Sequence, residues 1–181
     1  DKLKKIEIGI DIKQDMLEKQ AKIVYLSIGS NLGNKKKNIE IAKYKLNTKN
    51  IEIIKTSSNY ESLSWPNKRN PRFINIIVKI KTSLSPHDLM KKCLDIEKSL
   101  GRKRKKKNDP RTCDIDIIDY DNKISTNNKL ILPHPYMHKR NFVLIPFFEI
   151  SKSWIHPVKN KNIKNLLKSI RSEDLMTIKI I

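Results

Sequence analysis

An α+β fold with the element order β-α-β-β-α-β is predicted by three observations on this sequence. Apolar, β-branched runs of strand length fall at residues 22–30, 51–60, 73–80 and 114–120. Two stretches with helical apolar spacing separate the first run from the second and the third from the fourth. Helix punctuation stands where that order requires it, with Ser85-Pro86 ahead of the second helix and Gly101 behind it. With both helices on one side of an antiparallel sheet, this is the ferredoxin-like arrangement, which hosts many unrelated functions.

Residues 22–30 read as a mostly buried strand that runs into a Gly-containing turn at residues 29–34. Ile39, Ala42 and Leu46 then recur at helical spacing up to the break at Asn47-Thr48. Residues 51–60 read as the second strand, and residues 61–71 as a polar loop carrying Trp65 and two prolines. The third strand begins at Phe73, and Leu89, Cys93, Ile96 and Leu100 mark one stripe of the second helix. A basic loop over 102–108 leads into the fourth strand, which ends at the turn Asp121-Asn122. C-terminal strand and helix additions follow: a Pro-rich segment at 133–135, an apolar stretch over 142–150 and a weak helix near 163–170. Residues 1–21 stand apart as an appendage, and 22–181 form the domain.

At 181 residues the chain has the length of one domain. Such a chain can bury roughly 70% of its unfolded surface, so it needs no covalent staples. Two cysteines, Cys93 and Cys113, are too few for a disulfide framework and suit a reducing compartment. No apolar run approaches the roughly 20 residues that span a bilayer, so a cytoplasmic, monomeric protein without membrane association is expected. The net charge of +20 attracts anionic partners, whether nucleic acid, lipid headgroups or a polyphosphate, without choosing among them.

Chemistry concentrates in four segments. In Pro110–Ile118 (P-R-T-C-D-I-D-I-I), strand alternation turns Asp114 and Asp116 to one face and Ile115 and Ile117 to the other. Two adjacent carboxylates repel, and a hard cation such as Mg2+ shared with substrate phosphates removes that repulsion. Residues 28–34 (I-G-S-N-L-G-N) form a small-residue turn that lets backbone approach a ligand. Glu97 and the G-R-K-R run at 101–104 set guanidiniums, able to fork onto phosphate oxygens, at a helix end. Residues 134–142 (H-P-Y-M-H-K-R-N-F) combine a His, an Arg and an aromatic ring.

In this order and at these separations, the four segments resemble the 6-hydroxymethyl-7,8-dihydropterin pyrophosphokinase family over residues 22–150. The S-S-N-Y-E strand, the P-R-F-I-N segment and the H-P-x-M-H-x-R-x-F-V-L-x-P run followed by E-I extend the resemblance. It implies ATP as co-substrate, the hydroxymethylpterin as acceptor, and two Mg2+ ions on Asp114 and Asp116 bridging the ATP phosphates. Arg102, Arg111 and Asp116 take catalytic positions, and Arg104, Arg111, His134 and Arg140 contact ATP. Ser62, Leu63, Phe73, Asn75 and Phe142 form the pterin site, with Phe73 and Phe142 sandwiching the ring and Asn75 reading its polar edge. Glu97 matches an acid of the same cleft. As the family implies, the pterin hydroxymethyl oxygen attacks the β-phosphorus and AMP leaves.

Two places depart from the pattern. Asn108-Asp109 replace the family's Trp-Gly before Pro110-Arg111, so closure of the basic loop over ATP is expected to differ. Leu63-Ser64-Trp65 stand where Pro is common. Two rival readings remain open: an RNA-binding module on the same element order, and a nucleotidyltransferase using the same acid pair. The first is favoured by the charge and by residues 140–147, but it lacks the RNA-recognition aromatics, at 6% aromatic content, and gives no reason for the acids. No nucleic-acid partner is therefore expected.

Overall fold

The computed structural model describes residues 21–102 and 108–181. The appendage, apart from Ala21, and Arg104 of the basic run lie outside the described residues. The expected order is present as β1 (Lys22–Ser30), α1 (Lys35–Leu46), β2 (Ile51–Thr56), β3 (Tyr60–Ser62), β4 (Phe73–Thr82), α2 (Pro86–Ser99) and β5 (Asp114–Tyr120). The sheet runs β5-β1-β4-β3, with β2 also paired to β4, and every pairing is antiparallel. This is the predicted topology.

Local signals explain the boundaries. Asn34 caps α1 by accepting from the Lys37 N–H at 3.1 Å, and Ser85 caps α2 by accepting from the Asp88 N–H at 3.2 Å. Gly101 ends α2 at φ 82°, a left-handed turn that a side chain would strain. The turn after β1 begins later than expected, because Gly29 and Ser30 still pair with Asn75 and Ile74 of β4.

The second strand is not continuous. β2 and β3 are separated at Ser57–Asn59 because side chains take over the ladder there. Ser57 Oγ accepts from the Ile77 N–H at 2.9 Å, while Glu149 takes the Ser58 N–H at 3.0 Å and the Tyr60 hydroxyl at 2.8 Å.

Both faces of the sheet are covered. Ile39, Ala42 and Leu46 of α1 and Leu89, Cys93 and Ile96 of α2 pack on Leu26, Ile28, Ile76, Ile115 and Ile117. The apolar stretch is a helix, α3 (Asn141–Ile150), which buries Val143, Leu144 and Phe147 against Tyr25, Ile77 and Ile118 on the opposite face. After the hairpin β6 (Ser125–Asn127) and β7 (Leu130–Leu132) and after α3 come α4 (Ile163–Leu167), α5 (Ser172–Leu175) and the short edge strand β8 (Lys179–Ile180), paired to β3.

The edge strand β5 carries one irregularity. Its register against β1 runs Leu26 to Ile117 and Tyr25 to Asp119, leaving Ile118 as an extra residue. Ile115 and Ile117 enter the helix-side core, Ile118 enters the opposite core, and Tyr120 returns to the helix side.

Candidate active site

The sheet ends that carry Gly29, Ser62, Phe73 and Asp114 open onto one cavity of about 620 Å3. Asp114 and Asp116 lie on the same face of β5, opposite Gly29 and Ser27 of β1, as alternation requires. Every expected site residue among the described ones lines this cavity: Ser62, Leu63, Phe73, Asn75, Glu97, Arg102, Arg111, Asp114, Asp116, His134, Arg140 and Phe142.

The two acids differ sharply in surroundings. Asp114 Oδ1 accepts from Arg102 Nη1 at 2.6 Å and its Oδ2 accepts from Arg111 Nη2 at 2.6 Å. Burial alone would raise the Asp114 carboxyl, but the charges of Arg111 and Arg102 override it and hold the group below its ordinary value. Among the described residues Asp116 meets Arg140 Nη1 at 3.4 Å and His134 Nε2 at 3.9 Å, and its side chain is 38% accessible. Crowding by protein on every side but the cavity, and then the Asp114 charge, push its carboxyl up to about 6 against the pull of Arg140.

Glu97, at the end of α2, completes the charge cluster. Its Oε1 meets Arg102 Nη1 at 2.5 Å and accepts from the Ile115 N–H at 2.8 Å, so it fixes both the guanidinium and the entry of β5. His134 is pushed down to about 4 by burial and then by Arg140, so it is neutral near pH 7. Its Nδ1 accepts from the Tyr136 N–H at 3.2 Å, and its Nε2, on the cavity side, lies 3.4 Å from Arg140 Nη1. Among the described residues, the buried Nε atoms of Arg111 and Arg140 have no hydrogen-bond partner. Such donors suit an anionic ligand.

The aromatic end shares these guanidiniums. Arg111 lies 5.2 Å from the Phe73 ring centroid, and Arg140 lies 5.7 Å from both Phe142 and Trp65. Asn75 is buried and donates to Ser62 Oγ at 2.9 Å, which sets the orientation of its amide. A Cβ at position 29 would stand 2.6 Å from Asn75 Oδ1, so only glycine lets β1 pass this close.

Among the described residues no group of three or more His, Cys, Asp or Glu side chains could hold a metal by itself. Two carboxylates on one face, with guanidiniums offsetting their charge, fit a hard cation that brings further oxygen ligands from a phosphate.

The sequence pattern of the 7,8-dihydro-6-hydroxymethylpterin-pyrophosphokinase (HPPK) family matches residues 25–152. The chain belongs to this family. A pyrophosphokinase of this kind from Aquifex aeolicus is 40% identical over 141 residues, covering 78% of this chain and 88% of the relative. The folic acid synthesis protein fol1 of Pneumocystis carinii is 41% identical over 155 residues, covering 86% of this chain but 21% of the relative. The chain thus spans about a fifth of that longer protein. Among solved structures, a Plasmodium falciparum HPPK-DHPS matches with a TM-score of 0.68 at 15% identity, over 90% of this chain and 48% of the other, which supports the fold.

Three features of this HPPK site were missed by the sequence reading. Asn31 ties the β1 turn to two other segments. Its Oδ1 accepts from the Arg111 N–H at 2.7 Å and its Nδ2 donates to the Pro71 carbonyl at 3.1 Å. Trp65 lines the cavity rim at 59% exposure; its appearance as a departure in the pterin loop was the available signal. The third is an apolar extension around the β5 edge, lined by Met90, Leu94, Ile117, Leu130 and Ile131. It joins three distant segments and leaves no pattern in any one of them.

Proposed function

We propose that the chain catalyses Mg2+-dependent transfer of a pyrophosphoryl group from ATP to the hydroxymethyl oxygen of 6-hydroxymethyl-7,8-dihydropterin, releasing AMP. The observation that carries this reading is the meeting of a same-face acid pair, three arginines and two phenylalanines in one cavity. Membership of the HPPK family and a pyrophosphokinase relative at 40% identity support it.

The residues divide the work by chemistry. Phe73 and Phe142 offer flat faces for a flat heterocycle, and the Asn75 amide can both donate to and accept from its polar edge. The apolar extension around β5 offers a dry slot for the adenine base. Asp114 and Asp116 would hold Mg2+, which when bound neutralises the phosphate oxygens and fixes their geometry. Arg102 and Arg111, which hold Asp114 in this structure, would turn to phosphate oxygens, and the buried Nε donors of Arg111 and Arg140 would gain acceptors there. The acceptor oxygen forms a bond to the β-phosphorus, and the bond from that phosphorus to the α,β-bridging oxygen breaks. AMP keeps the bridging oxygen, and the hydroxyl proton passes to solvent. Alignment and charge neutralisation supply most of the acceleration.

The RNA-binding alternative loses ground to α3, because residues 141–150 form a helix covering the sheet face that such a module leaves open. Incubation with ATP, Mg2+ and the reduced hydroxymethylpterin, followed by product identification, tests the proposal. AMP together with a pterin pyrophosphate is the expected outcome. Release of inorganic pyrophosphate would point to the nucleotidyltransferase instead.

A further inference from the structure

Residues 172–181 lie beyond the matched family pattern, which ends at residue 152, yet they reach both walls of the acceptor slot. The first attachment is at Asn141, between Arg140 and Phe142. Its Nδ2 donates to the Asp174 carbonyl at 2.5 Å and lies 3.4 Å from Thr177 Oγ1, while its Oδ1 accepts from the Phe142 N–H at 2.7 Å. At the second attachment, β8 pairs with β3, placing Ile180 opposite Tyr60 and Lys179 opposite Glu61. The Ile181 N–H adds a bond to the Asn59 carbonyl at 3.0 Å. Ser62, which orients the Asn75 amide, is the next residue along β3.

This segment buries little. Met176 is 82% exposed and Ile180 66%, so hydrophobic gain does not explain its docking. Its contacts are polar and directional, and they fall on the residues flanking Phe142 and Ser62. A loose edge strand and a loose helix entry would each leave several side-chain positions open to the slot, and ordering them on binding would weaken the complex.

The geometry points to residues 172–181 as a strap that sets the separation of the two pterin-binding walls, a positioning role resting on the acceptor assignment above. Among the described residues, the hydrogen bonds of the strap beyond its own neighbour Arg171 run to Asn141, Asn59 and β3 and to no acid or guanidinium of the phosphate end, so its influence is expected mainly on the acceptor.

Two variants test it: a chain ending at Arg171, and Asn141→Ala in the full chain. The expected result is a rise of about ten-fold in KM for the pterin in each, with KM for ATP within about two-fold and unchanged products. An unchanged pterin KM, or equal rises for both substrates, overturns the strap. Should the shortened chain fail to fold, Asn141→Ala alone decides. A readout without substrate separates this inference from the acceptor assignment. In a Trp154→Phe background the remaining Trp65, on the loop after β3, reports loop motion by fluorescence anisotropy decay. Faster decay is expected in both variants. Identical decay refutes the strap even if the full chain yields no pterin pyrophosphate.

Discussion

The acidic end of the cavity and its aromatic end are held ready by different forces. At the acidic end Asp114 is locked by two guanidiniums at 2.6 Å, bonds that would have to open for the proposed metal and phosphates to bind. At the aromatic end Asn75, Ser62 and Gly29 are fixed by packing and a hydrogen bond that could persist with the proposed acceptor bound. The difference teaches that the two acids, though neighbours on one strand, should part company in stability while agreeing in activity.

The largest expected effect is on turnover. Asp114→Ala and Asp116→Ala should each lower kcat by about 10³-fold or more, because charge neutralisation of the phosphates is lost. Their thermal unfolding should differ. Asp114→Ala removes the carboxylate that Arg102 and Arg111 share, leaving Arg102 to Glu97, and should lower Tm. Asp116→Asn should raise Tm at pH 7, by about 3 °C or on the order of 1 kcal/mol, once solvent screening of its accessible carboxylate is allowed for. The sign follows from its raised value. Between the unfolded value near 4 and the folded value of about 6, the folded chain binds a proton that the unfolded chain does not, so stability falls as pH rises through that window. The gain from Asp116→Asn should therefore vanish near pH 4, and calorimetric scans at pH 4 and 7 showing the same gain would break the comparison.

A smaller effect sharpens the aromatic side. Phe142→Ala should weaken pterin binding by about 30-fold and ATP binding by less than about 3-fold, measured by calorimetry. Equal losses would show that the two ends are not separable, a result for which the Arg140 contact with the Phe142 ring provides the route. The smallest effect concerns His134. Because its imidazole is held near 4, His134→Gln should leave the shape of the pH–rate profile between pH 5.5 and 8 unchanged. A step lost from that profile would place the proton differently.

Much of this was legible in the sequence for physical reasons. Alternation put Asp114 and Asp116 on one face, Ser85 and Gly101 marked the ends of α2, and helical spacing identified the buried stripe of α1. The break in the second strand was not legible, since it depends on Glu149, 91 residues from Ser58. The helix at 141–150 was also hidden, because a segment packed between a sheet and α4 is apolar nearly all round and carries Pro146. Asn31 reads in sequence as a turn residue, and its side-chain bonds to distant loops emerge only after folding. For Asn108 the structure adds a reason for its residue type: its φ of 66° lies where Asn is tolerated better than bulky side chains.

The extra residue at Ile118 works as a phase shifter. Upstream of it, even-numbered side chains look into the cleft, while downstream the even-numbered Tyr120 sits among hydrocarbon on the far side. One strand therefore behaves as two segments of opposite parity, one presenting charge and the other anchoring the edge. Excising Ile118 would restore plain alternation with Leu26–Ile117, Tyr25–Asp119 and Val24–Tyr120 still paired, so the acids and the tyrosine would keep their faces and the loss would fall on the packing of Ile118 in the opposite core.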